Sequence, residues 1–137
     1  MCKQFSDAHT STFAQATAAQ YFRAGRMPAT LAQVRAVYAE RAQAMGDALR
    51  QELGDAIEFV QPQGGLFVWA RLTRAHGRLA DGNELARRAI DQGVAFVPGT
   101  PFFCANPDVA TMRLSFATAD VAKIREGVGR LAQALRG

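Results

Sequence analysis

The sequence predicts an α+β fold in which helices pack on one face of a small, mainly antiparallel sheet. Helical and strand-like patterns follow one another in the order helix, helix, strand, strand, helix, strand, strand, helix. A short connection containing Gly64-Gly65 joins the first two strand patterns, which is typical of a hairpin. Strands linked in this way pair antiparallel, and helices gathered on one side bury a single set of apolar faces.

Length and composition are those of one globular domain, so we predict a single domain over residues 1–137. The chain has 137 residues, 49% hydrophobic and 20% charged, which is sufficient for one core. No apolar run approaches the roughly 20 residues that a membrane span needs, and the first residues lack the apolar segment of a signal peptide. We therefore expect a cytoplasmic protein with no membrane partner.

The charged residues, cysteines and histidines exclude several kinds of site. The net charge of +4 comes from basic residues spread over several elements, so no nucleic-acid partner is predicted. Cys2 and Cys104 form neither a metal-ligand spacing nor a disulfide framework, which predicts free thiols and no metal site. His76 has no acidic or cysteine neighbour in the polar stretch 73–80, and we interpret it, like His9, as a solvated histidine.

Two helices are predicted in the first part of the chain. Hydroxyls at 10–12 can cap a first helix that closes at Gly25, and Met27-Pro28-Ala29 is predicted to turn the chain. A long amphipathic helix is then expected from Thr30 to Gly54. Its apolar positions are Leu31, Val34, Tyr38, Ala42, Met45, Leu49 and Leu53.

The middle of the sequence predicts two paired strands, 57–61 and 66–72. The run from Leu66 to Ala70 is almost continuously apolar, which is typical of a central strand covered on both faces. On this pattern Phe67 and Trp69 are interpreted as core residues.

The last third predicts a helix, two strands and a final helix. Asp81 with Glu84 forms a capping pattern for the third helix, which ends at Gly93. The run 94–97 is predicted to be a buried strand, because it is β-branched and aromatic. Asp120 is the expected N-cap of the last helix, whose apolar stripe leaves Lys123 at the surface.

Arg113 is the candidate binding residue. Residues 112, 114 and 116 are apolar and alternate with Arg113 and Ser115, so a strand here places Arg113 on the side opposite the core. A guanidinium on a rigid strand, beside a loop with Phe102, Phe103 and Asn106, is suited to holding a carboxylate by two parallel hydrogen bonds with an aromatic wall nearby. The alternative is a solvated or salt-bridged arginine on an ordinary strand face.

Several motifs occur in fixed order along the chain: Lys3-Gln4, His9-Thr10-Ser11, Gln15, Tyr38-Ala39-Glu40-Arg41, Gly64-Gly65-Leu66-Phe67-Val68-Trp69, Gly93-Val94-Ala95-Phe96-Val97-Pro98-Gly99, Phe103 and Met112-Arg113-Leu114-Ser115-Phe116. Together they resemble the C-terminal part of class I/II aminotransferases, the fold type I enzymes that depend on pyridoxal 5′-phosphate (PLP). The resemblance covers essentially the whole chain and is greatest to 2-aminoadipate and kynurenine aminotransferases and to the aminotransferase-like half of MocR-type regulators.

The resemblance implies roles for individual residues. Arg113 matches the arginine that binds the α-carboxylate of the amino-acid substrate, and Phe67 matches the aromatic residue that borders the substrate side-chain pocket. Phe102 and Phe103 fall in a loop near the domain boundary, where they would pack against a partner. The implied activity is transfer of an amino group from an L-amino acid to a 2-oxo acid, by a homodimer. The alternative is an effector domain of a MocR-type (GntR family) transcription regulator.

One departure from the family limits what this chain is expected to do. The family's Schiff-base lysine, acidic partner of the pyridinium nitrogen and phosphate cup lie upstream of the point where this sequence starts, and neither Lys3 nor Lys123 is a Schiff-base candidate. We therefore expect the small C-terminal domain of an aminotransferase, without its PLP-binding large domain. This fragment is predicted to hold no catalytic, cofactor-binding or metal-binding residue, and to be inactive with no PLP bound.

Overall fold

The computed structural model describes residues 9–73 and 81–137. The chain divides into two compact units, residues 1–36 and 37–137. The interpretations of Cys2, Lys3 and His76 concern residues outside the described ranges. The single-domain organisation over residues 1–137 stays a prediction.

The first unit contains helix α1 (Thr12–Arg23) and the first turns of helix α2 (Met27–Leu53). The Ser11 hydroxyl caps α1 by accepting from the Ala14 N–H, as the sequence predicted. The prediction of a turn at residues 27–29 is wrong, because α2 already begins at Met27. Pro28 lies in the first helical turn, where the missing N–H has no helical acceptor to lose.

The second unit contains the rest of α2 and the sheet. The later turns of α2 bury one face, and the helix ends at Leu53, just before Gly54, whose φ of 50° lies in the left-handed region. The four strands are β1 (Ile57–Phe59), β2 (Phe67–Leu72), β3 (Val97–Pro98) and β4 (Thr111–Ser115).

The strand order is β1-β2-β4-β3, and every neighbouring pair is antiparallel. The predicted hairpin between β1 and β2 and the central place of β2 are confirmed. The prediction of a buried strand over 94–97 is wrong, since β3 is a two-residue edge strand. Proline at position 98 has no N–H to donate, and the Pro-Gly-x-Pro sequence ends the pairing at once.

Two further helices complete the second unit, α3 (Gly82–Asp91) and α4 (Val121–Arg136). Asp81 and Asp120 cap them through backbone N–H groups, and Lys123 is exposed, as predicted. None of the helices in the described ranges is long and apolar enough to cross a bilayer.

The core joins one face of the sheet to the helices. It takes alternate residues of β2 and β4 and the inward stripes of α3, α4 and the second half of α2. This confirms the α+β class with helices on one face of an antiparallel sheet. Its largest fully buried side chains are Leu49, Val68, Leu72, Leu85, Met112, Phe116 and Leu131.

The other sheet face, here called the open face, is not covered by helices within the described part of the second unit. Phe67 and Trp69 lie on it and are each 42% exposed, so the interpretation of both as core residues is wrong. Burial alternates strictly along β2, as expected for a strand covered on one side. The continuous apolar run therefore marks aromatic residues placed on an exposed face.

Candidate functional site

Arg113 lies in the middle of the open face. It is the third residue of β4, a strand paired on both sides, and its register partners are Trp69 on β2 and Val97 on β3. Its neighbours Met112 and Leu114 point into the core, which fixes the strand and the direction of Arg113. The alternation in the sequence thus predicted the placement correctly.

Two aromatic rings contact the Arg113 guanidinium. Its central carbon lies 4.3 Å from the ring centroid of Phe67 and 4.7 Å from that of Phe102, over the ring in each case. Trp69 meets the Phe102 ring edge-on at 5.6 Å, and Phe103 lies 6.2 Å from Trp69. Phe67 and Phe102 therefore both present their electron-rich faces to the cation.

Arg113 has no ionic partner among the described residues. Its Nε atom is buried without a hydrogen-bond partner there, and the ion pairs found in these ranges do not include it. The alternative of a salt-bridged arginine thus finds no acid within the described part of the chain. A half-buried cation in this state retains the capacity to bind an anion.

Arg71 shows how an arginine on the same face behaves when it has a partner. Its Nε donates to Asp108 at 2.8 Å, and the pKa of Arg71 is raised by this bond. The hydrogen bond from Arg71 also lowers the pKa of Asp108, and the N–H of Ala110 adds to the effect. The charge of Arg71 is thereby compensated within the chain.

The geometry suits a planar carboxylate. A guanidinium offers donors only in its own plane, whereas the faces of Phe67 and Phe102 offer none. An anion must therefore approach along the rim of the guanidinium, where a carboxylate accepts two parallel hydrogen bonds. The flanking rings limit the access of solvent to the guanidinium, which would strengthen its ion pair with a bound carboxylate.

Sequence reasoning placed the loop of Phe102 near Arg113 but did not predict that the Phe102 ring stacks on the guanidinium, and it placed Trp69 in the wrong environment. The signal for Trp69 was Arg71, which extends the alternation Phe67, Trp69, Arg71 to a charged residue. For Phe102 there was no such signal, because the direction of a loop side chain depends on how the loop folds back onto the sheet.

Known proteins match almost the whole length of this chain. A family model described as aminotransferase class I and II matches residues 3–131. A curated relative, 2-aminoadipate transaminase of Thermus thermophilus, is 44% identical over 135 residues, which are 98% of this chain and 33% of that protein. The probable rhizopine catabolism regulatory protein MocR of Rhizobium meliloti is 30% identical over 126 residues, 92% of this chain and 25% of that protein.

The fold is also found in solved structures. The crystal structure of LysN, the α-aminoadipate aminotransferase of Thermus thermophilus complexed with N-(5′-phosphopyridoxyl)-L-leucine, superposes with a TM-score of 0.88 at 40% identity. The match covers 99% of this chain and 34% of that one. The chain thus spans about a third of the length of the aminotransferases it matches.

Proposed function

Because the chain belongs to the aminotransferase class I and II family, we propose that it is the C-terminal part of a PLP-dependent aminotransferase. In this proposal Arg113 holds the α-carboxylate of an L-amino acid or a 2-oxo acid, and Phe67 borders the pocket for the substrate side chain. The parent enzyme moves an amino group between the two substrates. The observation that carries the proposal is the half-buried guanidinium on the open face, which has no partner in the described ranges.

The role of Arg113 follows from what both substrates share. An amino acid and its 2-oxo acid differ at Cα but carry the same carboxylate, so one fixed cation can hold both. A guanidinium on a doubly paired strand keeps the carboxylate at a fixed place and thereby fixes the position of Cα. Phe67, on the neighbouring strand, contacts the same guanidinium and would border the substrate beyond Cα.

The described residues do not fit PLP itself. The cofactor supplies an electron sink for the Cα–H bond when it is bound, and it needs a lysine amine, an acidic partner for its ring nitrogen and a phosphate cup. Lys123 is the only lysine within residues 9–73 and 81–137, and it is exposed on α4. We propose that the residues that hold the cofactor belong to another part of the parent protein.

Titration of the 137-residue chain with pyruvate, the simplest 2-oxo acid of biology, tests the proposal. Arginine Nε–H signals are followed by NMR in the wild-type chain, in Arg113→Met and in Arg71→Met. We expect pyruvate to shift one arginine signal in the wild type and in Arg71→Met, and to shift none in Arg113→Met. Arg71 is the matched control because it lies on the same face with its charge already paired. If Arg113→Met bound pyruvate as well as the wild type does, the carboxylate-binding role of Arg113 would be refuted.

A second candidate is the effector domain of a MocR-type transcription regulator, which the 30% identity to MocR favours. The carboxylate-binding role of Arg113 would be the same, with an amino acid as signal rather than substrate. The two candidates are separated by the gene that encodes this chain. A winged helix-turn-helix ahead of the aminotransferase-like part would decide for the regulator, and an encoded protein without one would favour the enzyme.

The proposal extends to assembly and location of the parent protein. We propose a cytoplasmic homodimer that acts in amino-acid metabolism. The exposed aromatic residues Phe102 and Phe103 support an additional contact surface on this chain. The mass of the full-length protein, measured by light scattering, tests the dimer.

A further inference from the structure

We propose that Phe102 is a positioning residue that, together with Phe67, sets the direction of the Arg113 guanidinium. The inference rests on the proposed function in that the guanidinium so directed is the carboxylate anchor. It adds a residue to the site, and it gives the loop between β3 and β4 a role in binding.

The first step concerns what orients the guanidinium. An arginine side chain has several rotatable bonds, so an anchor needs contacts that select one direction. A hydrogen-bond acceptor could do this, but Nε of Arg113 is buried with no such partner in the described ranges. The contacts found instead are the two rings, at 4.3 Å for Phe67 and 4.7 Å for Phe102. Since a guanidinium stacks on ring faces, they restrict its plane.

The second step concerns how Phe102 itself is held. It ends a short 3-10 turn over Thr100–Phe102, in which its N–H donates to the Gly99 carbonyl at 2.9 Å. The N–H of Gly99 donates in turn to the Thr111 carbonyl at 2.8 Å, which fastens the turn to β4. The turn is therefore tied to the same strand that carries Arg113.

Two further contacts hold the same turn from other elements. The Asn83 side chain at the start of α3 donates to the Thr100 hydroxyl at 3.0 Å. Trp69 on β2 meets the Phe102 ring edge-on, at an interplanar angle of 83°, an arrangement that aromatic pairs prefer. Strand, helix and neighbouring strand thus all constrain where the Phe102 ring lies.

The exposure of Phe102 separates this role from core packing. The residue is 48% exposed, so it contributes less burial than the core phenylalanine Phe116, which is 1% exposed. Replacing Phe102 by leucine keeps the loop apolar and leaves the backbone contacts of the turn in place. The variant therefore removes the ring face over Arg113 without removing the fold.

The test follows the Nε–H signal of Arg113 by NMR in the 137-residue chain. The signal is assigned by its loss in Arg113→Met, and a proton over an aromatic ring is shifted upfield. We compare the wild type with Phe102→Leu, with the conservative variant Phe102→Tyr, and with Phe103→Leu. Phe103 is the matched control because it is an exposed phenylalanine next in sequence that contacts Trp69 but not the Arg113 guanidinium.

We expect Phe102→Leu to move the Arg113 signal downfield and to weaken pyruvate binding about two- to fivefold, the range for one exposed cation–π contact. Phe102→Tyr should retain the wild-type signal and affinity, and Phe103→Leu should alter neither. An unchanged Arg113 signal in Phe102→Leu would overturn the proposal, as would equal effects of the two leucine variants.

The positioning role and the proposed function can fail separately. If Phe102→Leu moves the Arg113 signal while pyruvate moves it in no chain, including the wild type, the contact between Phe102 and the guanidinium stands and the carboxylate function is refuted. If pyruvate shifts the signal equally well in the wild type and in Phe102→Leu, the carboxylate function stands and the positioning role is refuted.

Discussion

The two faces of the sheet are built from the same strands but from different kinds of contact. On the covered face, Met112 and Val68 are at most 1% exposed and pack against helices. On the open face, Trp69 is 42% exposed, and Arg113 keeps a buried nitrogen that finds no partner among the described residues. Alternate residues of β2 and β4 supply the two environments, so one residue of register separates a packing position from the proposed binding position.

This difference shows how the domain can hold an unfavourable arrangement. A buried guanidinium nitrogen without a partner costs free energy, and aromatic rings left half exposed forgo part of their hydrophobic stabilisation. The free energy gained by packing on the covered face offsets both the unpartnered nitrogen and the half-exposed rings. Substitutions on the two faces should therefore affect different properties, stability on one and binding on the other.

The largest expected effect is on the covered face. Met112→Ala removes a side chain that is 0% exposed and should lower the free energy of unfolding by about 2–5 kcal/mol, measured by urea denaturation. Its neighbour Arg113→Met provides the control, because it faces the other way and removes a charge with no partner among the described residues. We expect that variant to change stability by less than about 1 kcal/mol. Similar losses in the two variants would contradict the separation of the faces.

The next effect concerns how the loop of the open face is fastened. A Cβ at Gly99 would lie 1.9 Å from the Thr111 hydroxyl oxygen and 2.9 Å from the Thr111 carbonyl carbon, which belongs to the backbone of β4. Gly99→Ala should therefore destabilise the chain by about 1–3 kcal/mol and displace the turn that carries Phe102. The displacement should move the Nε–H signal of Arg113 as well.

Gly127→Ala is the matched control for that variant. Gly127 lies inside α4, and a Cβ there would meet nothing within 4 Å. Alanine in a helix interior is favoured over glycine, so this substitution should stabilise the chain by up to about 1 kcal/mol and leave the Arg113 signal unchanged. Destabilisation by both variants would show that the close contact at Gly99 is not what matters.

The sequence predicted the covered face more completely than the open one. Helical stripes and caps such as Asp81 and Asp120 depend on local spacing, and they lie where the patterns indicated. The placement of Arg113 was also predictable, since alternation along one strand determines the face. Phe67 and Trp69 were misplaced, because a run of apolar residues does not say which of its faces the helices cover. The contact made by the loop phenylalanine at position 102 depends on loop geometry that no local pattern encodes.

The smallest expected effect tests the compensated arginine of the open face. Hydrogen bonds from Arg71 and from the Ala110 N–H lower the pKa of Asp108, so its carboxylate is more acidic in the folded chain than in the unfolded one. The stabilisation is therefore fully present above the unfolded value of about 3.9 and is lost as the pH falls through the lower folded value. Asp108→Asn should accordingly lower the midpoint of thermal unfolding slightly at about pH 6, and wild type and variant should converge as the pH approaches about 2. A difference that persisted undiminished in strong acid would show that the ionised carboxylate is not the source of the effect. The pairing that distinguishes Arg71 from Arg113 would then lie in packing rather than in charge.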